Sequence, residues 1–359
     1  MKSYITFKET KYIQQSLFDQ NSTETLIKST TVYWKLTEES IQKFKERNEI
    51  NRRYLNTFPE NIEKTYSRFK IPKQSGGSRE IEAPIGLLKC EQARLNVYLQ
   101  KACNVHDGAY AYVKGRSAKD CVTRHKENKS KYFLHLDLKD FFGSCTREFV
   151  FAQLKQIMPF CLFDENILKH KLEIAFKETD GLPQGAPTSP VLSNIIMIPI
   201  DYKIEKMLRE FKNDFVYTRY ADDIIISNKN YFNPASIIKR IETRLQGTPL
   251  QLNPKKTHFG TNAGKNWILG MMLNRNNDIT IGHSTKEAFR SYTFKTLLDL
   301  KSGTLTSQEA YQYLGICSYY NDVEKQYVPK TIEKYAKKLN INPKTDYESV
   351  RQKLISLTK

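Results

Sequence analysis

The sequence predicts an α+β fold, a sheet covered by helices on one face, and three observations carry that expectation. The middle of the chain reads strand, helix, long helix, hairpin, helix, strand, the order of a sheet with helices packed on a single side. "FVYTRYADDIIIS" (215–227) reads as two strand-like runs meeting at a pair of aspartates. From Lys286 onward the pattern turns helical and basic, with breaks near Ser302–Gly303 and Pro329.

The elements follow in order. Residues 1–60 are polar and lysine-rich with weak helical periodicity. In "FKIPKQSGGSREIEAP" (69–84) the "SGG" turn signal separates two strand-like runs, which predicts a hairpin. Residues 87–104 carry helical periodicity, and "KYFLHLDLKDFF" (131–142) is β-rich, with apolar residues at 132, 134, 136 and 138. "TREFVFAQLKQIM" (146–158) reads as a helix with Thr146 as N-cap. The Gly/Pro loop "GLPQGAPTSP" (181–190) leads into a helix of roughly twenty residues, with Ser189 as N-cap and Pro190 at the first helical position. "NPASIIKRIETRLQ" (233–246) reads as a helix, and "LQLNPKKTHF" and "WILGMMLN" as strands.

Composition narrows the function classes. The 359 residues suffice for two or three domains. Lys plus Arg number 57 against 39 Asp plus Glu, and the net charge of +18 favours a polyanionic partner. No apolar run reaches membrane-spanning length, and the N-terminus lacks the apolar core of a secretory signal. The six cysteines form no C-x-x-C pair, so neither a zinc site nor a disulfide framework is expected, and the reading is a cytoplasmic protein with reduced thiols. The 21 Tyr and 19 Phe offer faces for stacking bases, although core packing would use them equally.

Asp222 and Asp223 are the chemically telling pair. Adjacent carboxylates at the edge of a core are costly unless a cation neutralises them. Asp137 ends the strand-like "FLHLDL", and beside the Tyr220–Ser227 hairpin it would converge on Asp222. Together they could hold two hard cations about 3.5–4 Å apart, the spacing that serves in-line phosphoryl displacement. A polar turn, where Asp is common, is the competing reading of "DD" taken alone.

The surrounding blocks carry a family resemblance. "LDLKDFF" (136–142), "GLPQGAPTSPVLSN" (181–194) and "YADD" (220–223), in this order, closely resemble the blocks of reverse transcriptases, with the bacterial retron-type and defence-associated group the best fit. "IPKQSGGSR" (71–79) resembles the fingers block, and "LNPKKTHF" (252–259) and "ILGMMLN" (268–274) resemble the later palm blocks. The resemblance implies a right-hand polymerase fold. Residues 1–60 would form an N-terminal helical region, 61–265 interleaved fingers and palm, and 266–359 primer-grip strands and an α-helical thumb. It implies RNA-directed DNA synthesis with two Mg²⁺ ions, or Mn²⁺ in their place, on a noncoding RNA template in bacterial antiphage defence. Its partners would be that RNA, the RNA–DNA hybrid, dNTPs and an effector protein, with no membrane.

By the same resemblance Asp137 and Asp222 are metal ligands and Asp223 the adjacent carboxylate. Lys73 and Arg79 reach the triphosphate, Gln184 approaches the incoming nucleotide, and Phe142 packs under the sugar and excludes a 2′-OH. Lys256 protonates the pyrophosphate leaving group. In "YVKGRSAKDCVTRH" (112–125) the chain keeps Gly115, Arg116, Ser117 and His125 of the RNA-recognition block, with Lys114, Arg116 and His125 as RNA contacts. It departs where Cys121 and Val122 replace Asn and Ala, and where "ILG" from Ile268 stands for the usual "VTG". Two other readings stay open: a template-independent or protein-primed polymerase on the same fold, and a catalytically silent RNA-binding scaffold.

Overall fold

The computed structural model describes residues 62–72, 76–158, 160–211, 214–264, 266–341 and 347–358. The expected N-terminal helical region and Lys73 lie outside the described residues. The chain divides into two units. The first holds the described residues up to Ser117, then Leu134–Ser227 and Tyr231–His258; the second holds Ala118–Phe133, Asn228–Asn230 and the chain from Phe259 on.

β1 (Tyr66–Pro72) and β2 (Ser78–Pro84) pair antiparallel from Tyr66↔Pro84 to Pro72↔Ser78, the hairpin that "SGG" predicts. Gly76 and Gly77 both take positive φ in its turn, 87° and 79°, where a side chain would be strained. α1 (Gly86–Ala102) buries Leu88, Gln92, Leu95, Leu99 and Ala102, the stripe its periodicity announces. α2 (Ala118–Glu127) opens the second unit's part of the chain.

β3 (Tyr132–Asp137) is buried over nearly its whole length, as suits a strand inside a sheet. After it come a single helical turn, α3 (Phe141–Ser144), and α4 (Arg147–Leu154), whose N-cap Thr146 accepts from Phe149 N as expected. α5 (Glu165–Leu172) is capped by Asp164.

The expected long helix is two. α6 (Thr188–Ile196) ends at Met197, and α7 (Ile198–Arg209) restarts with Pro199 in its first turn. Proline has no N–H to donate and clashes with the preceding turn, so the helix breaks there. Ser189 lies inside α6 rather than capping it, and its hydroxyl donates to the Pro183 carbonyl at 2.7 Å, tying the helix to the loop before it.

β4 (Val216–Tyr220) and β5 (Asp223–Asn228) pair antiparallel from Val216↔Ser227 to Tyr220↔Asp223. Their two-residue loop is Ala221–Asp222, and Ala221 carries the positive φ, 57°, that hairpins of this length require at the first loop position. α8 (Pro234–Leu245) is capped by Asn233. With β6 (His258–Thr261) the sheet runs in the order β4-β5-β3-β6. Backbone bonds from Lys131 N to Asn228 O and from Leu138 N to Asp222 O advance in opposite senses along β3 and β5, so that pair is antiparallel.

The strand expected over "LQLNPKKTHF" is shorter than it looks. Leu252 makes one bridge to Leu138, after which Asn253 turns the chain by accepting from Lys256 N and Thr257 N. "WILGMMLN" likewise reduces to β7 (Met272–Leu273), paired with β8 (Ile279–Thr280), because Leu269 and Gly270 turn the chain with positive φ.

The remaining chain is helical: α9 (His283–Ser302), α10 (Ser307–Val323), α11 (Tyr327–Lys338) and α12 (Tyr347–Ser356). Gly303 ends α9 in the left-handed conformation, and Thr306 with Glu309 closes a capping box on α10. Pro329 is not a break, since it sits third in α11, where the backbone N–H groups have no intrahelical partner to lose. Phe289, Leu297, Tyr313, Cys317, Val328, Ile332, Val350 and Leu354 form the core of this bundle. Tyr313 is fully buried while Tyr311 is 73% exposed, so the tyrosines of α10 divide between core and surface. Among the described residues no helix is long and apolar enough to cross a membrane. All six cysteines are free and five are buried.

Candidate active site

The three aspartates meet at strand ends of the first unit. Asp137 closes β3 and Asp222 lies in the β4–β5 loop, with the backbone bond from Leu138 N to Asp222 O at 3.0 Å holding the two segments together. Asp137 is only 4% exposed. Its Oδ1 accepts from Asn253 Nδ2 at 3.1 Å and its Oδ2 from Lys256 Nζ at 2.6 Å. Lys256, expected to face a leaving pyrophosphate, is thus placed against a carboxylate, and the hydrogen bond to Asp137 holds its ammonium above the usual range.

The cluster is electrostatically tense. Burial, and then the charge of Asp137, raise the Asp222 carboxyl, against Lys256 and Arg79, which lower it. Partial desolvation, then Asp222 and Asp137, push Asp223 up to about 6. Among the described residues no three His, Cys, Asp or Glu side chains are grouped closely enough to hold a metal ion as they stand. The aspartates are near enough to repel one another, and the Lys256 ammonium supplies the cation at Asp137.

That tension has a pH signature in metal-free protein. The Asp223 carboxyl is raised from 3.8 to about 6, so the folded chain binds its proton more tightly than the unfolded chain does. The penalty is absent below the unfolded value, grows as pH rises between the two, and is complete above the folded value. In EDTA, Asp223→Asn is expected to raise Tm by about 2 °C at pH 8 and to leave it unchanged near pH 4. Thermal melts across that range would show no such divergence if the side chain were simply solvated.

Arg79, Phe142 and Gln184 line one cleft of about 690 Å³ with Asp137, Asp222 and Lys256. Phe141 and Phe142 both line the cleft, Phe141 almost closed in the core and Phe142 partly exposed, the two rings tilted against each other at 5.6 Å. The Gln184 carbonyl accepts from Glu82 N at 2.7 Å, while its buried side-chain Oε1 has no hydrogen-bond partner among the described residues. Gly185 is required beside it, because a Cβ there would stand 2.7 Å from Ile81 Cγ2.

The three expected RNA contacts are placed differently from one another. Lys114 is exposed and lines a second cavity of about 560 Å³. Arg116 lines it too, but its Nη1 donates to the carbonyls of His106, Asp107 and Ala109, so this guanidinium folds its own loop. His125 is a correction: it is 0% exposed inside the second unit, edge-on to Phe133 at 6.2 Å, because it lies on the buried stripe of α2 with Cys121 and Val122. A ring sealed in the core has no face to offer RNA.

Two cleft residues escaped the sequence reading. Asn253, whose amide holds Asp137, looked like strand, and an Asn–Pro step was its only turn signal. Tyr112 lines both cavities, half exposed, with φ 59°. Nothing in its local pattern marks it.

The chain is similar to known proteins over most of its length. The family model described as reverse transcriptase (RNA-dependent DNA polymerase) matches residues 71–317. The Retron Ec83 reverse transcriptase of Escherichia coli is 30% identical over 281 residues, covering 75% of this chain and 86% of that protein. The Retron Ec73 reverse transcriptase of Escherichia coli is 30% identical over 276 residues, with the same coverage of 75% and 86%. Among solved structures, apo telomerase from Candida Tropicalis aligns with a TM-score of 0.48 at 13% identity, over 97% of this chain and 71% of that one. The α+β architecture is the right-hand polymerase fold, and the chain belongs to the reverse transcriptases, as an RNA-directed DNA polymerase of the bacterial retron type.

Proposed function

We propose that the protein copies a dedicated noncoding RNA into DNA using two Mg²⁺ ions held by Asp137, Asp222 and Asp223, with Mn²⁺ able to replace them. The observation that carries this reading is the acidic cluster itself: three mutually repelling carboxylates in a chain of net charge +18, with a lysine ammonium drawn onto the most buried of them. Oxygen ligands short of positive charge suit a hard divalent cation. When bound, such ions lower the pKa of a primer hydroxyl and stabilise charge on the transferring phosphate.

The chain's own groups divide the remaining work. Lys256 Nζ donates to Asp137 Oδ2 in the free enzyme and carries a proton within the cleft that can be given to a leaving pyrophosphate. Arg79 offers a planar fork to the triphosphate. Gln184 presents an uncommitted acceptor, and Phe142 a ring beneath the sugar. Lys114 and the basic helices α9–α12 suit the phosphates of template RNA and RNA–DNA hybrid. The biological setting we assign is bacterial antiphage defence with an effector protein as a further partner, supported by likeness to retron-type enzymes.

The test is to purify the protein and sequence the nucleic acid that accompanies it, with and without RNase. One abundant small RNA, encoded beside the protein's own gene, is expected. Mixed cellular RNA that about 1 M salt strips away would mean nonspecific phosphate binding instead.

A further inference from the structure

A charged pair lies sealed in the first unit. Arg219, on β4, and Asp201, on α7, are each 0% exposed. Nε donates to Asp201 Oδ1 at 2.9 Å and Nη2 to Oδ2 at 2.8 Å. Burial works against the guanidinium charge, and Asp201 beside it outweighs that and favours the charged form. Desolvating both ions offsets much of their attraction, and apolar side chains of equal volume commonly hold a core as well. Stability is therefore a weak reason for the pair.

The third arm of the guanidinium shows a different use. Nη1 donates to the Ala221 carbonyl at 3.2 Å and to Asn194 Oδ1 at 3.0 Å. Asn194, buried on α6, passes the contact on through Nδ2 to the Ala111 carbonyl at 2.7 Å. The Ala221 carbonyl belongs to the peptide that enters Asp222, and the Ala111 carbonyl to the peptide that enters Tyr112. Ala221 and Tyr112 are both held at left-handed φ, 57° and 59°, a conformation that persists in side-chain-bearing residues where the surroundings over-determine it. The backbone closes the frame, Arg219 N donating to Gly108 O at 2.7 Å and Tyr110 N to Arg219 O at 2.9 Å. Tyr112 and Asp222 line the same cleft, and the Asp222 charge acts on the Tyr112 phenol.

We propose that Arg219 and Asn194 are a positioning device that locks the Ala221–Asp222 turn and the Tyr112 loop against each other, setting the geometry across the cleft before substrate arrives. Both are buried and neither lines the cleft that holds Asp137 and Asp222. Each acts through a peptide plane, and a shift of the order of 1 Å in a reacting geometry costs on the order of a hundredfold in rate. Arg219→Lys keeps a charge beside Asp201 but replaces the planar fork with a point donor that cannot serve Asp201, Asn194 and Ala221 together. Asn194→Ser leaves the ion pair and frees the Ala111 carbonyl. Tyr217→Phe is the control, since its hydroxyl donates to the same Asp201 Oδ1 at 2.6 Å and touches neither held carbonyl.

The experiment measures Tm, hybrid Kd, and kcat and KM for dNTP on an RNA template for the three variants, below the melting range of each. Arg219→Lys should lower kcat about 100-fold and Asn194→Ser about 10-fold, with KM and hybrid Kd within about threefold of wild type. Tyr217→Phe should lower Tm and keep kcat. If Asn194→Ser keeps the wild-type kcat, or if Tyr217→Phe loses as much kcat as Asn194→Ser at the same distance below its Tm, the device is a structural strut and the proposal falls. Should Arg219→Lys fail to fold, the comparison of Asn194→Ser with Tyr217→Phe still decides.

Discussion

Asp222→Asn is expected to abolish dNTP incorporation, by about a thousandfold or more, on the order of 4 kcal/mol in the barrier, while RNA binding stays close to wild type. The substitution preserves size and removes one charge from a loop that β4 and β5 hold by their pairing at Tyr220↔Asp223. Repulsion from Asp137 is among the causes that raise the Asp222 carboxyl, so removing the charge relieves the metal-free fold. Loss of activity with an unchanged or higher Tm therefore separates chemistry from folding. An amide is a poorer ligand than a carboxylate for a hard cation, and titrating Mg²⁺ or Mn²⁺ against the variant should recover little. Polymerisation by Asp222→Asn at the wild-type rate would remove the aspartates from the metal site. Weakened RNA binding alongside lost activity would point to a misfolded variant.

Phe142→Ala is expected to change which sugar the enzyme accepts. Both rings line the cleft with Asp137, but Phe141 is buried and Phe142, five residues after Asp137, is the more exposed of the two. A ring packed under the sugar clashes with a 2′-OH, and overpacking of that kind costs roughly 1–3 kcal/mol, about 5- to 150-fold in selectivity. Phe142→Ala or Phe142→Val should admit GTP while keeping some dGTP activity. Phe141→Ala should instead cost about 3–5 kcal/mol of stability and leave the sugar preference alone. Measuring kcat/KM for dGTP and GTP on one RNA template checks both. An unchanged ratio in Phe142→Ala, or a shifted one in Phe141→Ala, would move the gate to another residue.

The readable parts of this protein are those whose signal is local. The "SGG" turn, the Thr146 cap, the helix over 233–246 and the hairpin at "YADD" depend on residues within a few positions of one another, and each stands where its pattern places it. Apolar spacing put Asp137 at a strand end and Asp222 at a hairpin for the same reason. Where a local rule competed with another, reading failed. The helix after Pro190 had the right periodicity, but Pro199 within it removed a backbone donor and split it.

The sequence by itself determined the fold class, the order of the elements, the family and the strand ends that carry the acidic groups. Tertiary structure decided what each charge meets. Asn253 and Lys256 reach Asp137 across 116 and 119 residues, and Arg219 turns inward to Asp201 although arginine is a surface residue by habit. His125, expected from the resemblance to contact RNA, is closed in the core. Periodicity records which face of an element is apolar, because burial repeats with the turn of a helix or the pleat of a strand. The partner of a single polar group has no period. It is set by which segments the folded chain brings together, and desolvation then makes that one contact decisive.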